Sequence, residues 1–199
     1  MRTYNIYRSN FIISEVLMST KIIERNVLSL RVKALATVSA VAGAVVLPQL
    51  FHLLGSISGT GTVPGEVFLP MHLPILLVGL LAGPLAGAVS GFVSPLLSFA
   101  LTGMPTAVML PFMMIELLSY GFFAGLMRNV RMPLVGKVLF AQLAGRAVRA
   151  LFIVVAVFAF SRADIQLSTV WMSIVKGLPG LCLQWAFLPL IVYRIEHSK

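Results

Sequence analysis

Polar and apolar positions fall into long blocks along the 199 residues. Residues 1–33 are mixed, with Arg2, Arg8, Lys21, Arg25, Arg31 and Lys33 scattered through them. Residues 34–54 then form a charge-free apolar segment, and a stretch rich in Gly, Ser and Thr succeeds it at 55–66. The next 49 residues, 67–115, contain no Asp, Glu, Lys or Arg. A membrane-crossing helix takes about 20 residues, so this block holds more than one. Gly83-Pro84 and Thr102-Gly103-Met104-Pro105 punctuate it. The pattern predicts six helices at about 34–54, 68–83, 85–101, 106–127, 134–160 and 169–193. The second and third are short enough to require tilt or local bilayer thinning.

Composition agrees with this division. Hydrophobic residues make up 59% and charged residues 11%, against about 25% charged in soluble domains. Mean hydropathy is +0.99. A soluble domain and a disordered chain are both excluded. The expected fold is all-α and polytopic: a polar tail at 1–33, a six-helix membrane domain at 34–193 and a short tail at 194–199. The N-terminal tail lacks the apolar core and small-residue cleavage site of a signal peptide. Met18-Ser19-Thr20-Lys21 reads as a start, which makes 1–17 an over-called extension.

The net charge of +9 would suggest nucleic acid in a soluble protein. Here its location explains it, and the bilayer is the expected partner, with no nucleic acid. If both ends share one side, that side holds 11 of the 15 Lys and Arg, including Arg128, Arg131, Lys137, Arg194 and Lys199. The opposite loops hold Arg162. The excess of Lys and Arg places both termini in the cytoplasm.

Four charges fall at membrane depth: Glu116, Arg146, Arg149 and Lys176. Each costs at least ~2.5–3.5 kcal/mol to insert, so each is a candidate functional group. Gln142, Arg146 and Arg149 have i, i+4, i+7 spacing and share one helix face. Arg offers a planar fork suited to a carboxylate or phosphate. With Lys176 and Gln184 on the last helix, these residues suggest a cationic pocket for an anionic solute. The alternative is internal pairing of Glu116 with Arg146 or Arg149. Even then Glu116 cancels one of three cations. His72 comes after Pro70-Met71 and is either a packed histidine or a ligand contact. Trp171 and Trp185 sit near opposite ends of the last helix, as interfacial aromatics do. Ala36, Ala40 and Ala44 form a small-residue stripe suited to close helix approach, within the chain or with a partner. Cys182, the single cysteine, is expected to be a packed thiol.

The chain has no G-x-x-x-x-G-K-[ST] and no H-E-x-x-H. Gly87-Ala88-Val89-Ser90-Gly91 carries its serine one place too late for a nucleophile turn, and its small residues suit helix packing. No cofactor or metal is expected.

The run 68–84, with Pro70-Met71-His72-Leu73-Pro74, resembles the substrate-binding S component of energy-coupling factor (ECF) transporters. So do Ser94-Pro95, Thr102-Gly103-Met104-Pro105 and Glu116-Leu117-Leu118-Ser119-Tyr120-Gly121. The resemblance spans about 34–193. It implies a six-helix subunit that captures a vitamin, hydrolyses no ATP and joins a T subunit and two ABC-type ATPase subunits in the inner (cytoplasmic) membrane. It also implies that an alanine stripe on the first helix, matched here by Ala36, Ala40 and Ala44, docks the T subunit. The loop after that helix would lid the site, with help from 102–106. The cationic helix face favours an acid, pantothenate first, then biotin, folate or lipoate. On this reading Arg146 and Arg149 hold the acid with help from Lys176, and Gln142, Glu116 and Gln184 bond its other polar groups. Rival readings are a solitary carrier, a membrane enzyme using Glu116 or His72, and an assembly protein without ligand.

Overall fold

The computed structural model describes residues 28–159 and 168–197. The chain divides into two units at Val32–Lys33, and the larger, Lys33–Lys199, carries the bundle. The described helices are α1 (Leu30–Ile57), α2 (Val63–Phe68), α3 (His72–Ala82), α4 (Pro84–Thr102), α5 (Leu110–Leu126), α6 (Leu134–Ala159) and α7 (Ser168–His197). A 3₁₀ turn, Met127–Asn129, succeeds α5. No strand occurs among the described residues. Among the described residues six segments are long and apolar enough to cross a membrane, α2 and α3 together forming the second.

The breaks have backbone causes. Gly83 lies at φ 101° and Gly103 at φ 70°, a region that L side chains avoid. Pro84 then opens α4 where its missing N–H is not needed. The break between α2 and α3 is different. Leu69 takes φ 49°, and Pro70 disfavours right-handed helix at the residue before it. The stretch expected as a loop at 55–66 is partly helical, with a turn left at 58–62. α1 runs on to Ile57, and α2 begins at Val63.

The bundle is built on backbone contact between α3, α4 and α5. A Cβ added at Gly87 would strike the Gly121 backbone, and one at Gly121 the Gly87 backbone. Gly91 faces the Leu117–Leu118 backbone, Gly79 faces Gly121 and Ala124, and Gly125 faces Gly83–Pro84. Ser90 and Ser94 share the buried face of α4. Their hydroxyls donate to the carbonyls of Ala86 (2.5 Å) and Ser90 (2.6 Å), four residues earlier. Small side chains let helix backbones approach where no hydrophobic force drives them together. The serines satisfy themselves locally, so their hydroxyls cost the crossing nothing in unpaired polar groups.

Around this centre, Ile75, Leu76, Leu117, Tyr120, Val138, Ala141 and Leu188 form the main apolar core. The outer surface is also apolar, with Leu35, Leu101, Leu143, Phe158 and Trp171 all well exposed. Apolar side chains on both inside and outside are what a helix bundle in lipid requires.

Two small-residue features bear on the sequence expectations, and one of these is corrected. Ala40 and Ala44 are 7% and 0% exposed. Ala44 packs in the main core beside Met71 and Ile75, and neighbouring Gly43 faces Pro74. Ala40 and Ala44 are thus covered by the chain itself, and Ala36 is partly exposed. Cys182 is exposed rather than packed. It lies on the outward side of α7, where an apolar run marks the surface as much as the core.

Candidate functional site

Three interior features of α5 and α6 create a polar centre. Gly145 leaves the space that the Tyr120 ring fills. The Tyr120 hydroxyl donates to Glu116 Oε1 at 3.1 Å, one helical turn away. Arg149 Nη1 donates to Glu116 Oε2 at 2.6 Å. Both oxygens of the carboxylate are engaged, and Glu116 is 2% exposed against 16% for Arg149. The His72 ring, on the first turn of α3, packs at a tilt on Tyr120, centroids 5.2 Å apart.

These groups adjoin a cavity of about 590 Å³. Its size lies within the usual range of roughly 300–1,000 Å³ for small-molecule sites. The wall includes His72, Glu116, Arg146, Arg149 and Lys176. The structure therefore brings five of the seven sequence-identified site residues together. Arg146 is the one without an observed partner: its Nε and Nη1 are buried and unbonded. Gly177 on α7 makes room for its guanidinium, since a Cβ there would lie 3.2 Å from Arg146 Nη2. His72 Nδ1 is likewise buried without a partner.

The other two, Gln142 and Gln184, do not line the cavity. They bond each other instead. Gln142 Nε2 donates to Gln184 Oε1 at 2.8 Å, Trp185 Nε1 donates to Gln142 Oε1 at 2.6 Å, and Gln184 Nε2 reaches the Leu69 carbonyl at 3.4 Å. A buried amide pair satisfied in this way ties α6 to α7 and to the α2–α3 break. Trp171 is 67% exposed and is not part of the wall.

Lys176 lines the cavity but already has a partner. Its Nζ lies 3.1 Å from Glu66 Oε2, both side chains about half exposed, and Thr62 Oγ1 donates to the other Glu66 oxygen at 3.1 Å. The pair joins α2 to α7. The same two helices meet closely where Gly180 faces the Val67–Phe68 backbone. Exposed ion pairs contribute at most about 1 kcal/mol. Lys176→Ala is accordingly expected to lower unfolding free energy by less than ~1 kcal/mol. Thermal melting in detergent at low and high salt checks this, and the small loss should vanish at high salt.

Sequence reasoning missed His52, Glu66 and a set of methionines on the wall. A signal for Glu66 was present: it is the one charged residue in the stretch 34–115. The candidate lid at 55–66 contributes Thr62, Gly65 and Glu66, and the 102–106 turn contributes Met104, Pro105 and Thr106.

Among the described residues no group of His, Cys, Asp and Glu is placed to hold a metal. The wall can do something simpler: enclose a small solute and offer it one half-buried cation with two unbonded nitrogens. No curated protein sequence and no solved structure matches the chain. Residues 30–192, by contrast, match the family described as ECF transporter, substrate-specific component. With six apolar segments long enough to span a membrane among the described residues, this is a multi-pass membrane protein and a member of the ECF transporter substrate-specific components.

Proposed function

We propose that this subunit captures a small anionic vitamin, pantothenate first among the candidates, for import through the cytoplasmic membrane. On this reading both termini lie in the cytoplasm, and the energy comes from a T subunit and two ABC-type ATPase subunits. One observation carries the choice of an acid: Arg146 lines the cavity with two buried nitrogens unbonded. Guanidinium nitrogens buried without a partner are costly even on a half-buried side chain, and a carboxylate in the cavity would relieve that cost through charge-assisted hydrogen bonds. Arg149 is engaged by Glu116, so it supports the site more than it holds the acid. The Glu66–Lys176 pair sits where α2 would close over a bound solute.

The test is calorimetric titration of the purified protein with pantothenate and other vitamin acids. Arg146→Ala should weaken binding of the captured acid by about 2–4 kcal/mol, roughly 30- to 1,000-fold. Wild-type affinity in the variant would rule out Arg146 as the acid's partner.

A further inference from the structure

The charges on the cavity wall balance to a single remainder. Among the described residues, the charged side chains lining it are Glu66, Glu116, Arg146, Arg149 and Lys176. Arg149 pairs with Glu116 and Lys176 with Glu66. Arg146 is left over. One negative charge on the occupant completes the wall. A second would have to draw Lys176 or Arg149 away from its carboxylate.

In the remainder of the wall methionine is the most frequent residue, beside hydroxyl-bearing Ser and Thr. Met71, Met104, Met109, Met113 and Met172 line it. No Phe, Tyr or Trp does so among the described residues. Phe, Tyr and Trp side chains gain most from stacking on flat rings, and this wall offers only the smaller imidazoles of His52 and His72. Thioether chains are flexible and polarisable, and they mould themselves to irregular aliphatic bodies. His72 Nδ1, buried and unbonded, supplies one further hydrogen-bonding atom for a hydroxyl or amide on that body.

We infer that the occupant is a non-aromatic monocarboxylate: one carboxylate on Arg146, an aliphatic body against the methionines, and a neutral polar group at His72. This rests on the capture reading above and narrows it, setting aside flat-ring vitamins, dicarboxylates and phosphate esters.

A competition panel on the full-length purified protein tests it. The panel comprises pantothenate and biotin as non-aromatic monocarboxylates, and pantothenol, which replaces the carboxylate of pantothenate with CH₂OH. It adds 4′-phosphopantothenate, folate and riboflavin as the phosphorylated, dicarboxylate and neutral flat-ring members. The expected result is that a non-aromatic monocarboxylate binds most tightly. If that acid is pantothenate, pantothenol should bind at least about 100-fold more weakly, and His72→Ala should weaken pantothenate without restoring pantothenol. Tightest binding of riboflavin, folate or the phosphate ester would overturn the inference while leaving vitamin capture intact. Absence of binding by every member, from protein that melts cooperatively, would overturn the capture reading and this inference with it.

Discussion

Gly121→Leu is expected to abolish the folded bundle. Gly121 lies where α5 crosses α4, and even a Cβ there would overlap the Gly87 backbone. Gly79 of α3 also closely approaches the Gly121 carbonyl. Overpacking a core with extra methylenes costs about 1–3 kcal/mol when side chains can yield. Here the obstructing atoms are the Gly87 backbone of α4, so the two helices must part. That separation would uncover Leu117, Tyr120 and Ala124, all 0% exposed. The loss should exceed ~3 kcal/mol, beyond the usual range for single substitutions. Size-exclusion chromatography and thermal melting in detergent check it. The expected outcome is an aggregated or non-cooperative species, with Ala147→Leu on the outward face of α6 behaving as wild type. A monodisperse Gly121→Leu protein with an unchanged melt would refute the close crossing.

Glu116→Ala should be the second most damaging change. Removing the carboxylate strands the Arg149 guanidinium and takes away the acceptor of the Tyr120 hydroxyl. Breaking a buried ion pair from one side costs about 3–5 kcal/mol. Arg149 retains 16% exposure and lines the cavity, which permits some rehydration and places the expected loss near the lower end, ~3 kcal/mol. Glu116→Gln keeps an oxygen for Tyr120 and loses only the charge, so it should fall between wild type and Glu116→Ala. Thermal unfolding of the three proteins orders them. The charge balance gives a second readout. In Glu116→Gln the wall gains a free cation, and discrimination against a doubly charged acid should diminish.

Much of the fold was legible where backbone chemistry leaves a mark. Gly83 and Gly103 interrupt a 49-residue uncharged stretch, and both adopt positive φ. The shared face of Arg146 and Arg149 came from helical spacing, and both line the cavity. What the sequence leaves open is how polar residues pair across helices. Gln142 meets Gln184, 42 positions away, and Lys176 meets Glu66, 110 positions away. Helical periodicity gives a direction around one helix and says nothing about the neighbour that will be there. Gln142 also shares the Arg146 face, yet one turn of displacement puts it in the core instead of the cavity. Inside and outside were hard to separate for a related reason. In lipid both surfaces of a helix are apolar, so Cys182 and the alanine stripe carried no sign of which way they point. The α2–α3 break had a signal in Pro70, whose ring constrains Leu69.

The claim that matters most is that this membrane subunit, by itself, holds an acid on Arg146. Native mass spectrometry of the detergent-purified chain, incubated with vitamin acids and no ATPase subunit, tests it most directly. The expected spectrum shows one acid retained at one copy per chain, and no retained acid in Arg146→Ala of equal thermal stability. Retention of the same acid by Arg146→Ala, or a neutral or cationic vitamin retained by both proteins, would contradict it.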